Sequence, residues 1–102
     1  MLNQAVLVGR LYEKPEIKMI NESKKIDFSL TVTRSFKNLD GTYDTDIIPV
    51  RAFNCIAENM YEYCKKGDLI GVKGHLEIID EKLIVLAEKI TTLSKGNERE
   101  EK

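Results

Sequence analysis

Ile26-Asp27-Phe28-Ser29-Leu30-Thr31-Val32-Thr33 alternates apolar and polar residues at every step. Successive side chains on a strand point to opposite faces, so this pattern predicts a strand with one buried and one solvated face. Downstream the chain continues through Arg34-Ser35-Phe36-Lys37 to Asn38-Leu39-Asp40-Gly41, and Asp-Gly is a strong hairpin signal. The return strand is expected over about 42–53. Apolar alternation fades between Arg34 and Thr45, so the tip of this hairpin should project beyond the body of the domain.

Working outward, Asn3-Gln4-Ala5-Val6-Leu7-Val8-Gly9-Arg10-Leu11 is a Val/Leu-rich strand with Gly9 in its interior. Gly inside a strand often marks a sharp bend, which lets one strand serve both sides of a small barrel. After Pro15, Glu16 to Ile20 alternates loosely and is read as a continuation of that first strand. Residues 55–66 change to helical spacing, with Ile56, Met60 and Tyr63/Cys64 on one stripe. Asn54 is the expected N-cap, and Lys65-Lys66-Gly67 make a dipole-compatible end. Two more strands are expected over about 68–79 and 82–92, joined at Asp80-Glu81. Three strands, one helix and two strands, with tight hairpins and no βαβ alternation, give an all-β domain with one helix. The plan is that of a five-stranded OB-fold Greek-key barrel with the helix between strands three and four. It should occupy residues 1–93, followed by a disordered charged tail over 94–102.

The 102 residues, 42% hydrophobic, fit a single domain with one modest core. The longest apolar runs, such as Leu83 to Ala87, are too short to cross a bilayer, and Met1-Leu2-Asn3-Gln4 has no signal-peptide character. A cytoplasmic address is the expectation. Cys55 and Cys64, nine residues apart on one helix, would point to opposite sides, so both are read as free thiols. One His and two Cys without close spacing are a poor zinc site. Neither metal nor cofactor is expected. Asp40, Asp44 and Asp46 are read as solvated hairpin charges, and His75, between Gly74 and Leu76, as a barrel-surface side chain. With no nucleophile beside a base, the chain does not read as an enzyme.

Net charge is −1, but its distribution is uneven. Residues 1–37 hold seven Lys/Arg against four Asp/Glu, and residues 38–93 hold six against ten. A basic face can coexist with an acidic body. Along Ile47-Ile48-Pro49-Val50-Arg51-Ala52-Phe53, alternation puts Ile48, Val50 and Ala52 on the core side. Arg51 and Phe53 then share the outer face, about 7 Å apart along the strand. An aromatic ring stacks on any base and a neighbouring cation meets a phosphate, which is the chemistry of single-stranded nucleic-acid binding. Arg34, Phe36, Lys37 and Tyr43 repeat the theme on the hairpin, and Arg10 and Lys73 would extend a basic track.

The same residues carry a family resemblance over nearly all of positions 1–93. Asn3 to Leu11 with Pro15-Glu16, Phe28-Ser29-Leu30-Thr31-Val32-Thr33-Arg34-Ser35-Phe36, the Asp40-Gly41 hairpin, Ala57-Glu58-Asn59, Lys65-Lys66-Gly67-Asp68 and Gly71-Val72-Lys73-Gly74-His75-Leu76 together resemble bacterial single-stranded-DNA-binding proteins. The resemblance implies an OB-fold that assembles, usually as a homotetramer, and covers single strands during replication, repair, recombination or DNA uptake. It implies stacking roles for Phe36 and Phe53, and phosphate contacts near Arg10, Arg34, Lys37, Lys66 and Lys73. Three departures stand out. Ile47 replaces a family aromatic, with Pro49 beside it; the hairpin between strands four and five shrinks to Asp80-Glu81-Lys82; and the chain stops at Arg99-Glu100-Glu101-Lys102 without the family's acidic, hydrophobic-tipped tail. Partner recruitment through such a tail is therefore not expected; a specialised paralogue, a phage or mobile-element version, or a truncated form of a longer chain fits. The lost stacking positions leave one alternative from another class, an OB-fold protein-interaction adaptor of primosome type with weak DNA binding.

Overall fold

The alternating stretch around Ile26 to Thr33 becomes the middle of a long strand in a barrel, in a computed structural model that describes residues 1–95. In chain order the elements are β1 (Ala5–Leu11), β2 (Glu16–Ile20), β3 (Ser23–Lys37), β4 (Tyr43–Phe53), α1 (Asn54–Tyr63), β5 (Leu69–Ile79) and β6 (Lys82–Ser94). The strand order is β1-β5-β6-β4-β3-β2, and an additional β1–β3 pairing closes β1, β5, β6, β4 and β3 into a five-stranded barrel. All neighbours are antiparallel except β4 and β6, which meet in parallel at Val50↔Val85 and Arg51↔Leu86. This is the OB plan that the sequence predicts.

Several details differ from the sequence reading. Residues 16–20 do not continue β1; they form a separate strand hairpinned onto β3, with Ile20 opposite Ser23. Counted along the chain, the helix therefore lies between the fourth and fifth strands. The β2–β3 turn uses Asn21 and Glu22 at φ 50° and 70°, the left-handed pair of a tight two-residue hairpin without the usual Gly. The helix also begins one residue early and ends three early. Phe53 occupies the N-cap without a side-chain cap bond, and Cys64 is the C-cap. Asn54 is not the cap: its side-chain oxygen accepts from the Lys24 amide across the chain. The last strand runs to Ser94, and the tail expected to be disordered falls, from residue 96 on, outside the described residues.

The core follows the period-2 pattern. Ile26, Phe28 and Leu30 from β3, Val50 and Ala52 from β4, and Ile70 and Val72 from β5 are all buried. Onto them α1 packs Ala57 and Met60, with Cys64 just beyond. Burying aliphatic surface supplies most of the stabilisation, so truncating Leu30 or Ile26 to Ala would cost about 2–5 kcal/mol. Gly9 sits where β1 passes from β5 to β3. A Cβ there would lie 2.7 Å from the Thr31 carbonyl oxygen, so only Gly lets β1 come this close. Cys55 is exposed, Cys64 buried, and both are free.

Candidate nucleic-acid interface

The β3–β4 ribbon carries two faces of opposite character because the pairing is in strict register over most of its length. Lys25↔Phe53, Asp27↔Arg51, Ser29↔Pro49, Thr31↔Ile47 and Thr33↔Thr45 are the outward pairs. Ile26, Phe28, Leu30, Val50 and Ala52 take the inward positions. The core assignment of Ile48, Val50 and Ala52 thus holds: the last two are fully buried and Ile48 packs against the core. Phe53 stands outside the core with 41% of its surface exposed, opposite Lys25.

The floor of this face opens into a cleft of 590 Å³. One wall is the β1–β2 connection and β2 with Lys18; the other is the β5–β6 turn with Asp80 and Lys82; Asp27, Ser29, Pro49 and Arg51 line the floor. In an OB-fold the equivalent face and these two connections are where oligonucleotides lie. Lys18 and Lys82 are exposed and hold no carboxylate partner among the described residues. The sequence reading missed both. Only the fold brings residues 18 and 82 to opposite walls of one cleft, and no local spacing announces it.

The two arginines of the ribbon are engaged differently from expectation. Arg51 donates from Nε to Asp27 Oδ1 at 2.7 Å and from Nη2 to Oδ2 at 3.4 Å. Arg34 donates from Nε and Nη2 to the two oxygens of Asp46, each at 2.9 Å, with Asp44 at 3.8 Å. The hydrogen bond to Asp46 raises the Arg34 pKa, and the same bond holds the Asp46 carboxyl below its ordinary value. A phosphate must therefore compete with a carboxylate already in place at both guanidinium groups. The three hairpin aspartates have partners within the hairpin: Asp44 and Asp46 face Arg34, and Asp40 accepts from the Thr42 hydroxyl and amide. Those bonds, the hydroxyl's first, lower the Asp40 pKa. Among the described residues no group of His, Cys, Asp and Glu is placed to hold a metal ion.

Beyond the platform the ribbon becomes an arm. Register slips between Thr33 and Lys37, and every residue from Thr33 to Thr45 is exposed. Phe36 is 85% exposed, and Lys37 lies opposite Tyr43. On the other flank, Arg10 stands opposite Thr31, which itself faces Ile47, so these three side chains form one row across β1, β3 and β4. Arg10 also donates to the Gly67 carbonyl at 3.1 Å, and Gly67 N–H bonds the Leu11 carbonyl. Lys66 is thereby held at the Arg10 end. Lys73 is exposed opposite Val6, farther round the barrel. Of the eight sequence-predicted site residues, Arg51 and Phe53 share the platform, Arg34, Phe36 and Lys37 the arm, and Arg10 and Lys66 one flank. Lys73 lies apart from the cleft. Ile47, where a ring is expected by resemblance, presents an aliphatic side chain 53% exposed.

Comparison with known proteins agrees with this geometry. The chain is 37% identical over 79 residues to "Single-stranded DNA-binding protein 1" of Clostridium acetobutylicum, covering 76% of this chain and 72% of that protein. It is 40% identical over 78 residues to a protein of the same description from Staphylococcus aureus, of which it spans half the length. Among solved structures, a small single-stranded DNA-binding protein from Streptomyces coelicolor superposes with a TM-score of 0.75 at 20% identity, covering 91% of this chain and 95% of that one. That likeness confirms the barrel. Residues 2–82, which include the whole β3–β4 platform and both walls of the cleft, match the Single-strand binding protein family, and to that family the chain belongs.

Proposed function

We propose that this chain binds single-stranded DNA with little regard to sequence, as a binding protein rather than an enzyme. The observation that carries the reading is the platform itself. An exposed ring, Phe53, stands in register beside a cleft whose two walls offer Lys18 and Lys82, neither with a carboxylate partner among the described residues. Stacking on a ring is tolerant of base identity, and the lysines track the backbone. The family's usual settings, replication, repair, recombination and DNA uptake, follow from the same reading, as does a cytoplasmic location; no helix among the described residues is long and apolar enough to cross a membrane. Self-association into a homotetramer or homodimer fits the exposed Val6, Val8, Ile78 and Leu83, since a small barrel gains by burying such surface.

The test is a titration with oligo-dT beside a duplex of equal length at several salt concentrations. Single strand should win, and affinity should fall with salt by a slope of about −0.7 per phosphate neutralised. Lys18→Ala should remove about one such contact. Equal affinity for duplex, or no binding at low salt, would overturn the reading. That outcome would promote the protein-interaction adaptor, which the exposed aliphatic Leu76, Ile78 and Leu83 on the β5–β6 ribbon independently favour.

A further inference from the structure

The arm of the β3–β4 ribbon is shaped by a bulge. Thr33 pairs with Thr45 and Lys37 with Tyr43, so Arg34, Ser35 and Phe36 of β3 stand against Asp44 alone on β4. Extra residues on one strand re-aim the side chains they carry. Here Arg34 is aimed at β4. The side edge of its guanidinium, Nε and Nη2, donates to the two oxygens of Asp46, each at 2.9 Å. Its end, at Nη1, looks onto Asp44 at 3.8 Å. Asp44 is itself held from the tip, where Asn38 Nδ2 donates to it at 3.2 Å.

The charge balance of the arm follows from this arrangement. Residues 33–46 hold Arg34 and Lys37 against Asp40, Asp44 and Asp46, one net negative charge. Arg34 is 58% exposed, yet a phosphate that approaches it meets two like charges beside one unlike. If the guanidinium swings from Asp46 to the phosphate, the bared carboxylate takes up a cation from solution. That uptake offsets the cation the phosphate releases, so the contact adds little to the salt dependence. Arg51 differs in being 19% exposed, with its carboxylate partner built into the platform floor.

Resting on the single-strand reading above, we propose that Asp46, backed by Asp44, is a positioning residue that holds Arg34 off the phosphates of a bound strand and so limits the grip of the arm. What the arm offers a strand is then the ring of Phe36 rather than the guanidinium beside it. Affinity differences within one interface fall mainly on dissociation, so this carboxylate pair lets the arm release a strand quickly.

The experiment titrates wild type, Asp46→Asn, Asp40→Asn and the double variant Asp46→Asn/Arg34→Ala with oligo-dT over a range of salt concentrations. All three positions lie on the arm, outside the core, and thermal melting checks that each variant is folded. Asp46→Asn and Asp40→Asn remove the same charge, but only the first removes the partner of Arg34, because Asp40 is engaged with Thr42. The double variant has the net charge of wild type and lacks the guanidinium. Asp46→Asn should bind oligo-dT about 2- to 5-fold tighter at low salt, the range spanned by exposed ion pairs. Its salt slope should steepen by about 0.7, one further phosphate neutralised. Asp40→Asn and the double variant should keep the wild-type slope. An unchanged slope or weaker binding in Asp46→Asn overturns the proposal. So does an equal steepening in Asp40→Asn, or a gain that survives in the double variant, since either assigns the effect to charge without Arg34. In all of these cases wild type still binds oligo-dT. Absence of wild-type binding at low salt overturns the single-strand reading and the proposal with it.

Discussion

The base and the tip of the β3–β4 ribbon are built from one hairpin, yet each carries its aromatic ring in a different way. At the base, Phe53 is half-covered, capped into the start of α1, and faces Lys25 in unbroken register. At the tip, register slips, no residue is buried, and Phe36 stands almost fully in water. The base is preorganised: its ring is already restrained before any ligand arrives. The tip must be ordered on binding, and immobilising a side chain costs about 0.5–1.5 kcal/mol. Two rings of the same chemistry should therefore contribute unequally.

The largest effect is expected at Phe53. Substitution to Ala should weaken single-strand binding by about 1–3 kcal/mol, the worth of one base–aromatic stack. The salt slope should stay where it is, because no phosphate contact is lost. Thermal stability should fall by less than the about 3–5 kcal/mol typical of a buried Phe→Ala change, since the ring lies outside the core. A full-sized stability loss with normal binding by the folded fraction would abolish the platform and reverse the comparison.

Phe36→Ala should cost less binding, about 1 kcal/mol or below once the ordering cost is deducted, with unchanged melting. Fluorescence titration of both variants at one salt concentration ranks them directly. Equal losses would show that preorganisation at the base confers no advantage.

The smallest effect concerns the other hairpin and sharpens the contrast from outside. His75 on β5 hydrogen-bonds Glu77 and Glu88, each at 2.7 Å, and these bonds, Glu77's first, raise its pKa above 6.5. A raised folded-state pKa means that the protonated His stabilises the fold. The contribution is whole below the unfolded value, near pH 6.5, and disappears as pH rises through the higher folded value. The difference in melting temperature between wild type and His75→Gln should therefore shrink from pH 6 to pH 9. DNA binding by Phe53 and Phe36 should not follow it. A gap that widens with pH would contradict the pairing.

Much of the barrel could be read directly from alternation. Ile26, Phe28, Leu30, Val50 and Ala52 are buried, and Val32 and Ile48 pack against them half-buried, as their spacing predicts, because a strand with one wet face leaves a period of two in the sequence. β2 was hidden because its turn uses Asn21-Glu22, a left-handed pair without the Gly that usually marks one. The same chemistry recurs at Asp80-Glu81, with φ 53° and 67°; there the strong strands on either side gave the turn away. In the site, the rings and cations were visible as types and spacings. Their partners were not. Asp27 and Arg51 are 24 residues apart, and Arg34 and Asp46 are 12 apart. Which carboxylate meets which guanidinium depends on ladder register, and alternation fixes the face of a residue without fixing its neighbour.

The barrel is joined by a narrow seam. β4 and β6 meet at only two residue pairs, Val50↔Val85 and Arg51↔Leu86, between segments some 35 positions apart in the chain. Closing so long a loop for so few hydrogen bonds is entropically poor, so this junction should form late in folding and open early in native-state fluctuations. The cleft straddles it, with Val50 and Arg51 on one side and Ile79, Lys82 and Ile84 on the other. A strand lying there acts as a hoop across one of the barrel's two narrow joins, the other being β1–β3. Occupancy should slow amide hydrogen exchange at the seam far more than in the β3–β4 ladder, which is already held by continuous pairing. By the same linkage, whatever loosens the seam lowers affinity without touching a single contact to the ligand.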